Sequence, residues 1–481
     1  MNLPPLNRSA LSRMAPELRP AVDPAELRPR IVHFGIGAFH RAHQAVYTEN
    51  AAARSGEPWG ITAVAPRSAG TVRALRDQDH LYSLTERRPG GGVCRVVGAV
   101  VDALTMGPDA EAVDALLTDP ETTVVSLTVT EKGYFRSPST GGLDLTAPPV
   151  AADLAAGRGG PLTTVVGRLA AGLAARARAG APPVTVVSCD NMAGNGAVLG
   201  RVVGDFVRAS AWPDRDEILD RMAATVAFPS TVVDRIVPAS GEADLLAASA
   251  ALGVRDAVPV AGEPYRQWVL EDAFAAPRPP WERDGALFVP DVTPYQLTKL
   301  RLLNGSHSAL AHLGLSAGCA TIAGTMATDW GETVVRALCA EVAATLPAGG
   351  PDPVAYADDL VGRFRNPAIR HLLRQIGSDS SLKIAERWLP ALRELRGRGA
   401  ATPVLELALG AWVHGTRPGV AALTDPAADA LAACWSAPDR PVETVRALLS
   451  LLGAADLAGD DALTAAVADR LPALHAGRVE I

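Results

Sequence analysis

The segment "TKLRLLNGSH", Thr298 to His307, sets Lys299, Asn304 and His307 into a leucine-rich run. Each of the three could act on a hydroxyl group. An amine can take its proton, an amide can donate to its oxygen, and an imidazole can do either. Read as an α-helix at roughly 100° per residue from Lys299, His307 falls at 80° and Asn304 at 140°, so all three share one broad face. A solvated edge of an amphipathic helix has the same pattern. By spacing alone that plain reading is the stronger one.

Oxidising an alcohol needs a base for the hydroxyl proton, donors that hold the oxygen, and a nicotinamide to accept hydride. A zinc route would need Cys, His or Glu ligands at ordered spacing. The five cysteines (Cys94, Cys189, Cys319, Cys339, Cys434) are scattered, with no C-x-x-C pair, so no metal is expected. A tyrosine–lysine route is spelled by "YQLTK", Tyr295 to Lys299. That match lies too far beyond the glycine loop for a small single-domain reductase, and it falls at the expected domain boundary. A lysine base remains. An unperturbed lysine, with pKa ~10.4, is a poor base at neutral pH. Burial or a nearby cation lowers it; His307, Arg301 and a nicotinamide ring are the candidate neighbours.

The residues that would hold such a cofactor lie near the start of the chain. "IVHFGIGAFHRAHQ" contains Gly35 and Gly37, with His40 where a third glycine would sit. A strand, a G-x-G turn and a helix open a dinucleotide-binding unit: the glycines admit the pyrophosphate and the helix start favours its charge. Two glycines between a strand and a helix also arise without a nucleotide, but position at the first strand of an alternating half favours one. Phe39, His40 and Arg41 could contact the phosphates or simply cap the helix. The second strand, "ITAVAP", is followed by Arg67 and Ser68, where an acid would accept from the adenosine ribose. Arg67 could face a 2′-phosphate instead, so NAD and NADP both stay open on physical grounds.

Strand-like and helix-like segments alternate in the first half. "ETTVVSLTVT" and "PVTVVSCDN" read as buried strands, "CRVVGAVVDAL" as a strand or hairpin, and "PLTTVVGRLAAGLAARARAG" as an amphipathic helix. Such alternation predicts an α/β fold with a parallel sheet. Beyond the Pro-rich junction at residues 280–292 the periodicity is helical, with one helix beginning at Thr293–Pro294. The expected division is a dinucleotide-binding domain over residues 1–285 and a mostly α-helical domain over 286–481. Net charge is −7 with acids and bases interleaved, which argues against a nucleic-acid partner. No apolar run reaches about 18 residues, which argues against a membrane span. The N-terminus lacks a signal-peptide core, and scattered cysteines fit a cytoplasmic protein.

The order of "IVHFGIGAFHRAHQAVYTEN", "QDHLYSL", "TVTEKGY", "SCDNMAGNG", "FPSTVVDRIVP", "YRQWVLEDAF" and "KLRLLNGSHSALAHLG" resembles the mannitol dehydrogenase family, the polyol-specific long-chain dehydrogenases. Mannitol 2-dehydrogenase and the fructuronate and tagaturonate reductases are members. The resemblance implies an N-terminal extended Rossmann domain, a helical C-terminal domain and zinc-independent, NAD-linked oxidation of an open-chain polyol or aldonate to the 2-ketose or ketouronate. It implies Lys299 as general base and Asn304 with Asn191 as the pair holding the substrate oxygen. His307 would orient the reacting region, and Asp234 would join the polar network, unless it only pairs with Arg235. Gly35, Gly37, Phe39 and Arg41 would form the cofactor loop. "SSLKIAERWL" is more similar to hexuronate reductases than to mannitol dehydrogenases. Lys383, assisted by Arg374 or Arg370, could then meet a substrate carboxylate, although for the arginines a plain surface helix is the preferred reading. D-mannonate/fructuronate therefore stands ahead of mannitol/fructose. The family implies a small-molecule partner and a monomer, with dimers known. The competing class is a non-catalytic NAD(H)-binding sensor on the same fold; a sensor has no need of a base.

Overall fold

The structure is a computed structural model. It describes residues 3–157, 159–421, 423–436 and 440–481. The chain divides into two compact units, Met1–Val292 and Thr293–Ile481.

Among its described residues the first unit carries twelve strands: β1 (Arg28–Phe34), β2 (Trp59–Ala65), β3 (Tyr82–Arg88), β4 (Gly91–Val97), β5 (Val100–Thr105), β6 (Val124–Leu127), β7 (Val184–Ser188), β8 (Val226–Ala227), β9 (Thr231–Asp234), β10 (Val260–Gly262), β11 (Gln267–Glu271) and β12 (Leu287–Val289). Six of them form one sheet in the order β5-β2-β1-β6-β7-β8, with every pairing parallel. Successive residues of a strand face opposite sides. Ile31 packs with Val46, Tyr47 and Leu75 on one side. Val32 and Phe34 pack with Val165, Leu169 and Val202 on the other. Helices therefore cover both faces, and the α/β expectation is borne out. β2 and β7 are buried along their whole length because both of their faces are covered. Strand order reverses between β1 and β6, which opens a crevice beyond their carboxyl ends.

Two three-stranded sheets, β10-β3-β4 and β12-β11-β9, complete the unit. "CRVVGAVVDAL" turns out to be neither one strand nor one hairpin. Its first part, in β4, pairs antiparallel with β3, while its second part enters the main sheet as β5. The switch falls at Gly98, where a Cβ would lie 2.4 Å from Pro24 Cγ.

Among its described residues the second unit has helices and no named strand. Its core gathers Leu302, Leu310, Leu313, Trp388, Trp412 and Leu448 around the helix Gly305–Ser316. No helix among the described residues is long and apolar enough to cross a membrane.

Candidate active site

Residues 293–316 run as one continuous helix, but Lys299–Asn304 is a π-turn. The Gly305 N–H donates to Leu300 O, five residues back. This corrects the geometry expected from the sequence. An i→i+5 repeat brings Asn304 back over Lys299 rather than well round the helix. Three α-helical residues further, His307 returns to within about 60° of Asn304. The three residues thus share a narrower face than a regular helix would give, and Asn304–Gly305 does not break the helix.

Neighbouring side chains hold the turn from outside. Arg387 Nη1 donates to Asn304 O at 3.3 Å and to Ser308 Oγ at 2.7 Å. Trp388 Nε1 donates to Gly305 O at 3.1 Å. Lys299 is 8% exposed, while Asn304 and His307 are half-buried.

His307 Nε2 lies 3.2 Å from His371 Nδ1, and its ring stacks on Phe364 with centroids 5.1 Å apart. Burial first, then His371, Arg387, Arg363 and Lys383, hold the His307 pKa well below the usual imidazole value. Burial and then Arg363 bring His371 down to about 4. Both rings are therefore neutral at neutral pH. Lys383 Nζ donates to Ile376 O at 3.0 Å and Ser378 O at 2.6 Å, at the end of the helix Leu373–Gly377. Burial, then Arg387, lower its pKa, while Asp379 and Asp425 oppose the shift. Arg374 and Arg370 are exposed.

In the first unit Gly35 follows β1 with φ +118°, and a Cβ there would lie 2.3 Å from Thr128 O. Only glycine lets the loops after β1 and β6 approach this closely. Gly37 precedes the short helix Ala38–Ala42, and a Cβ there would meet nothing within 4 Å. A tight turn under open space at the strand-order reversal fits a pyrophosphate. Phe39 stacks on His43 at 4.9 Å. Arg41 is buried; it donates to Ile36 O and Val258 O and lies over the Tyr82 ring. Arg67 is exposed just beyond β2. The helix after the glycine turn breaks at His43 (φ −123°, ψ −87°) and resumes as Gln44–Ser55. His43 Nε2 contacts Gln267 O at 2.8 Å, which turns that residue out of helical geometry toward β11.

Asn191 is exposed in the loop after β7. Its neighbour Asp190 accepts from Val129 N (3.2 Å), Thr130 N (2.8 Å) and the Tyr134 hydroxyl (2.8 Å). Burial raises the Asp190 carboxyl above its ordinary value against the lowering by these three donors. Thr130 is held at φ +69°, ψ 158°, a backbone region that non-glycine residues occupy at a cost. The Asn195 amide donates to Asp190 O (2.9 Å) and Thr231 O (3.1 Å), and its oxygen accepts from Thr231 N (2.8 Å). The loop carrying Asn191 is thereby laced to its neighbours. Asp234 is buried at the end of β9. Arg235 beside it forms its ion pair with Glu86 at 2.9 Å.

Lys299, Asn304, His307 and Lys383 thus lie in the helical unit, and Asn191, Asp234 and the glycine loop in the sheet unit. Sequence reasoning missed Asp190, Tyr134, Asn195, His371 and Arg387. Asp190 and Asn195 stood inside the quoted "SCDNMAGNG", Tyr134 inside "TVTEKGY" and Arg387 inside "SSLKIAERWL"; His371 carried no motif of its own. Among the described residues no group of three or more His, Cys, Asp and Glu side chains is placed to hold a metal.

The mannitol dehydrogenase Rossmann domain profile matches residues 29–283, and the mannitol dehydrogenase C-terminal domain profile matches residues 291–475. "Uncharacterized oxidoreductase YdfI" of Escherichia coli is 42% identical over 398 residues, covering 82% of this chain and 81% of its own. D-mannonate oxidoreductase of Escherichia coli is 37% identical over 417 residues, covering 84% and 83%. The crystal structure of Pseudomonas fluorescens mannitol 2-dehydrogenase, a ternary complex with NAD and D-mannitol, has a TM-score of 0.83 at 35% identity, covering 98% of this chain and 97% of that one. Two domain matches that span both units, together with a glycine turn shaped for a dinucleotide, show that the chain belongs to the mannitol dehydrogenase family of oxidoreductases.

Proposed function

We propose that this protein is an NAD-dependent, zinc-independent dehydrogenase that interconverts the secondary alcohol of an open-chain polyol or aldonate with the 2-ketose or ketouronate, with Lys299 as general base. The observation that carries this reading is a buried lysine on a π-turn, whose i→i+5 repeat narrows the face that Lys299 shares with Asn304 and His307. Residues 1–285 would hold the dinucleotide, and residues 286–481 would supply the base and most substrate contacts. Gly35 and Gly37 would receive the pyrophosphate, flanked by Phe39 and Arg41, with Arg67 toward the adenosine ribose. When bound, NAD supplies the ring carbon that accepts hydride.

In oxidation the uncharged Lys299 amine takes the hydroxyl proton; in reduction the ammonium returns it. The amides of Asn304 and Asn191 donate to the developing alkoxide, which a dry, preorganised site stabilises far better than water does. His307 and Asp234 bond neighbouring hydroxyls. D-mannonate/fructuronate stands ahead of mannitol/fructose. Arg387 and Lys383 donate to neutral oxygens, so positive charge is left for a substrate carboxylate at Lys383, with Arg374 assisting.

A panel of mannonate, mannitol and related polyols, run with NAD and NADP at alkaline pH, tests the assignment. Mannonate oxidation with NAD is expected. Turnover of mannitol with none of mannonate would remove the carboxylate reading. Lys299→Ala should cut turnover by about 10²-fold or more while NADH binding persists. Unchanged turnover would defeat the lysine assignment, and NADH binding without turnover of any panel member would favour the sensor.

A further inference from the structure

We propose that His371 is a positioning residue that holds His307 in a single tautomer, with His307 Nδ1 left as a hydrogen-bond acceptor for a substrate hydroxyl. The inference rests on the proposed function for the role of His307, but the pairing itself rests on geometry. A neutral imidazole has one donor and one acceptor nitrogen, and the partner of one nitrogen decides the state of the other. His307 Nε2 faces His371 Nδ1 at 3.2 Å. Phe364, stacked at an interplanar angle of 13°, fixes the plane of the His307 ring. His371 is itself anchored through its backbone. Its N–H donates to Ile369 O at 2.9 Å, and its carbonyl accepts from Ile322 N at 3.0 Å.

One proton lies between the two facing nitrogens, and the surroundings decide which ring carries it. Arg387, Arg363 and Lys383 are among the groups that lower the His307 pKa. Only Arg363 acts on His371. In the proposed pair that proton belongs to His307, whose Nε2–H donates to His371 Nδ1 and whose Nδ1 keeps its lone pair. That Nδ1 then accepts from a substrate hydroxyl beside the reacting one.

His371→Phe keeps a ring but removes the acceptor. His371→Gln keeps an acceptor and serves as the rescue. His371→Phe should lower kcat/KM about tenfold, the scale of one orienting hydrogen bond. NADH binding should stay near parental, and His371→Gln should restore most of the loss. In a His307→Ala background the His371→Phe change should add nothing. Spectra of ¹⁵N-histidine protein, with His307 identified by its variant, should show Nδ1 unprotonated in the parent and mixed tautomers in His371→Phe. Parental kcat/KM in His371→Phe, a multiplicative loss in the double variant, or a protonated His307 Nδ1 in the parent would each overturn the proposal. The spectra need no turnover, so the pairing is judged separately from the Lys299 reading.

Discussion

Asp190 shows how one buried carboxylate can set the geometry of a neighbour. It gathers two backbone N–H groups and a tyrosine hydroxyl, and the next residue is Asn191. A carboxylate accepts from all three donors at once, whereas an asparagine offers one acceptor oxygen and turns an NH₂ toward the remaining donors. Asp190→Asn therefore leaves at least one buried donor facing another donor, which costs about 1–3 kcal/mol. The same clasp holds Thr130 in its strained backbone conformation, so the loop should relax when the clasp weakens. The expected outcome is a lowered unfolding midpoint together with a reduced kcat, because the loop carrying Asn191 loses its brace. Calorimetry and steady-state kinetics on the one variant check both halves. A parental midpoint would show that the three hydrogen bonds contribute nothing net.

At the scale of elements, the two loop glycines serve different ends, and their variants should separate. Gly35 has φ +118° and no room for a Cβ against Thr128 O. Gly35→Ala should destabilise the fold by about 1–3 kcal/mol and weaken NADH binding with it. Gly37 has φ −67° and open space around a Cβ. Gly37→Ala should leave the unfolding midpoint near parental while NADH affinity falls about tenfold or more, because the methyl enters the space a pyrophosphate needs. Equal NADH affinity in Gly37→Ala would place the dinucleotide elsewhere. The glycine loop and the parallel α/β sheet were legible in the sequence because a strand, a G-x-G turn and a period change from 2 to 3.6 are local signals. The π-turn was not. Nothing in "KLRLLN" distinguishes i→i+5 from i→i+4, because the donors that hold the turn, Arg387 and Trp388, are more than eighty residues away. The small sheets were hidden for the same reason: β10 pairs with β3, and β9 with β11, across loops that no periodicity spans. His371 was equally silent, since a histidine's partner is set by tertiary packing.

Across the whole molecule, buried histidines set the response to acid. Burial is the leading cause that lowers each of them. His40, His43 and His312 come to about 3 and His371 to about 4, and His33 and His307 lie well below the ordinary value. In the unfolded chain these rings take a proton near pH ~6.5. Between that value and their folded values the unfolded state binds more protons than the folded state. Stability then rises with pH, so it is fully present above about 6.5 and is lost as pH falls toward 4. Each ring contributes at most about 1.4 kcal/mol per pH unit in that window. Asp190 and Glu341, whose carboxyls are raised by burial, act in the opposite sense. Carboxylates lowered by ion pairs or hydrogen bonds, such as Asp109 and Asp460, begin to matter only nearer their own lower range. Because three of these rings lie in the sheet unit and three in the helical unit, both should weaken together. Urea unfolding at pH 7.5 and 5.5 tests this, with the midpoint expected to fall by a clear margin at the lower pH. A midpoint unchanged between pH 7.5 and 5.5 would mean that these rings take up protons in the folded protein as readily as in the unfolded chain.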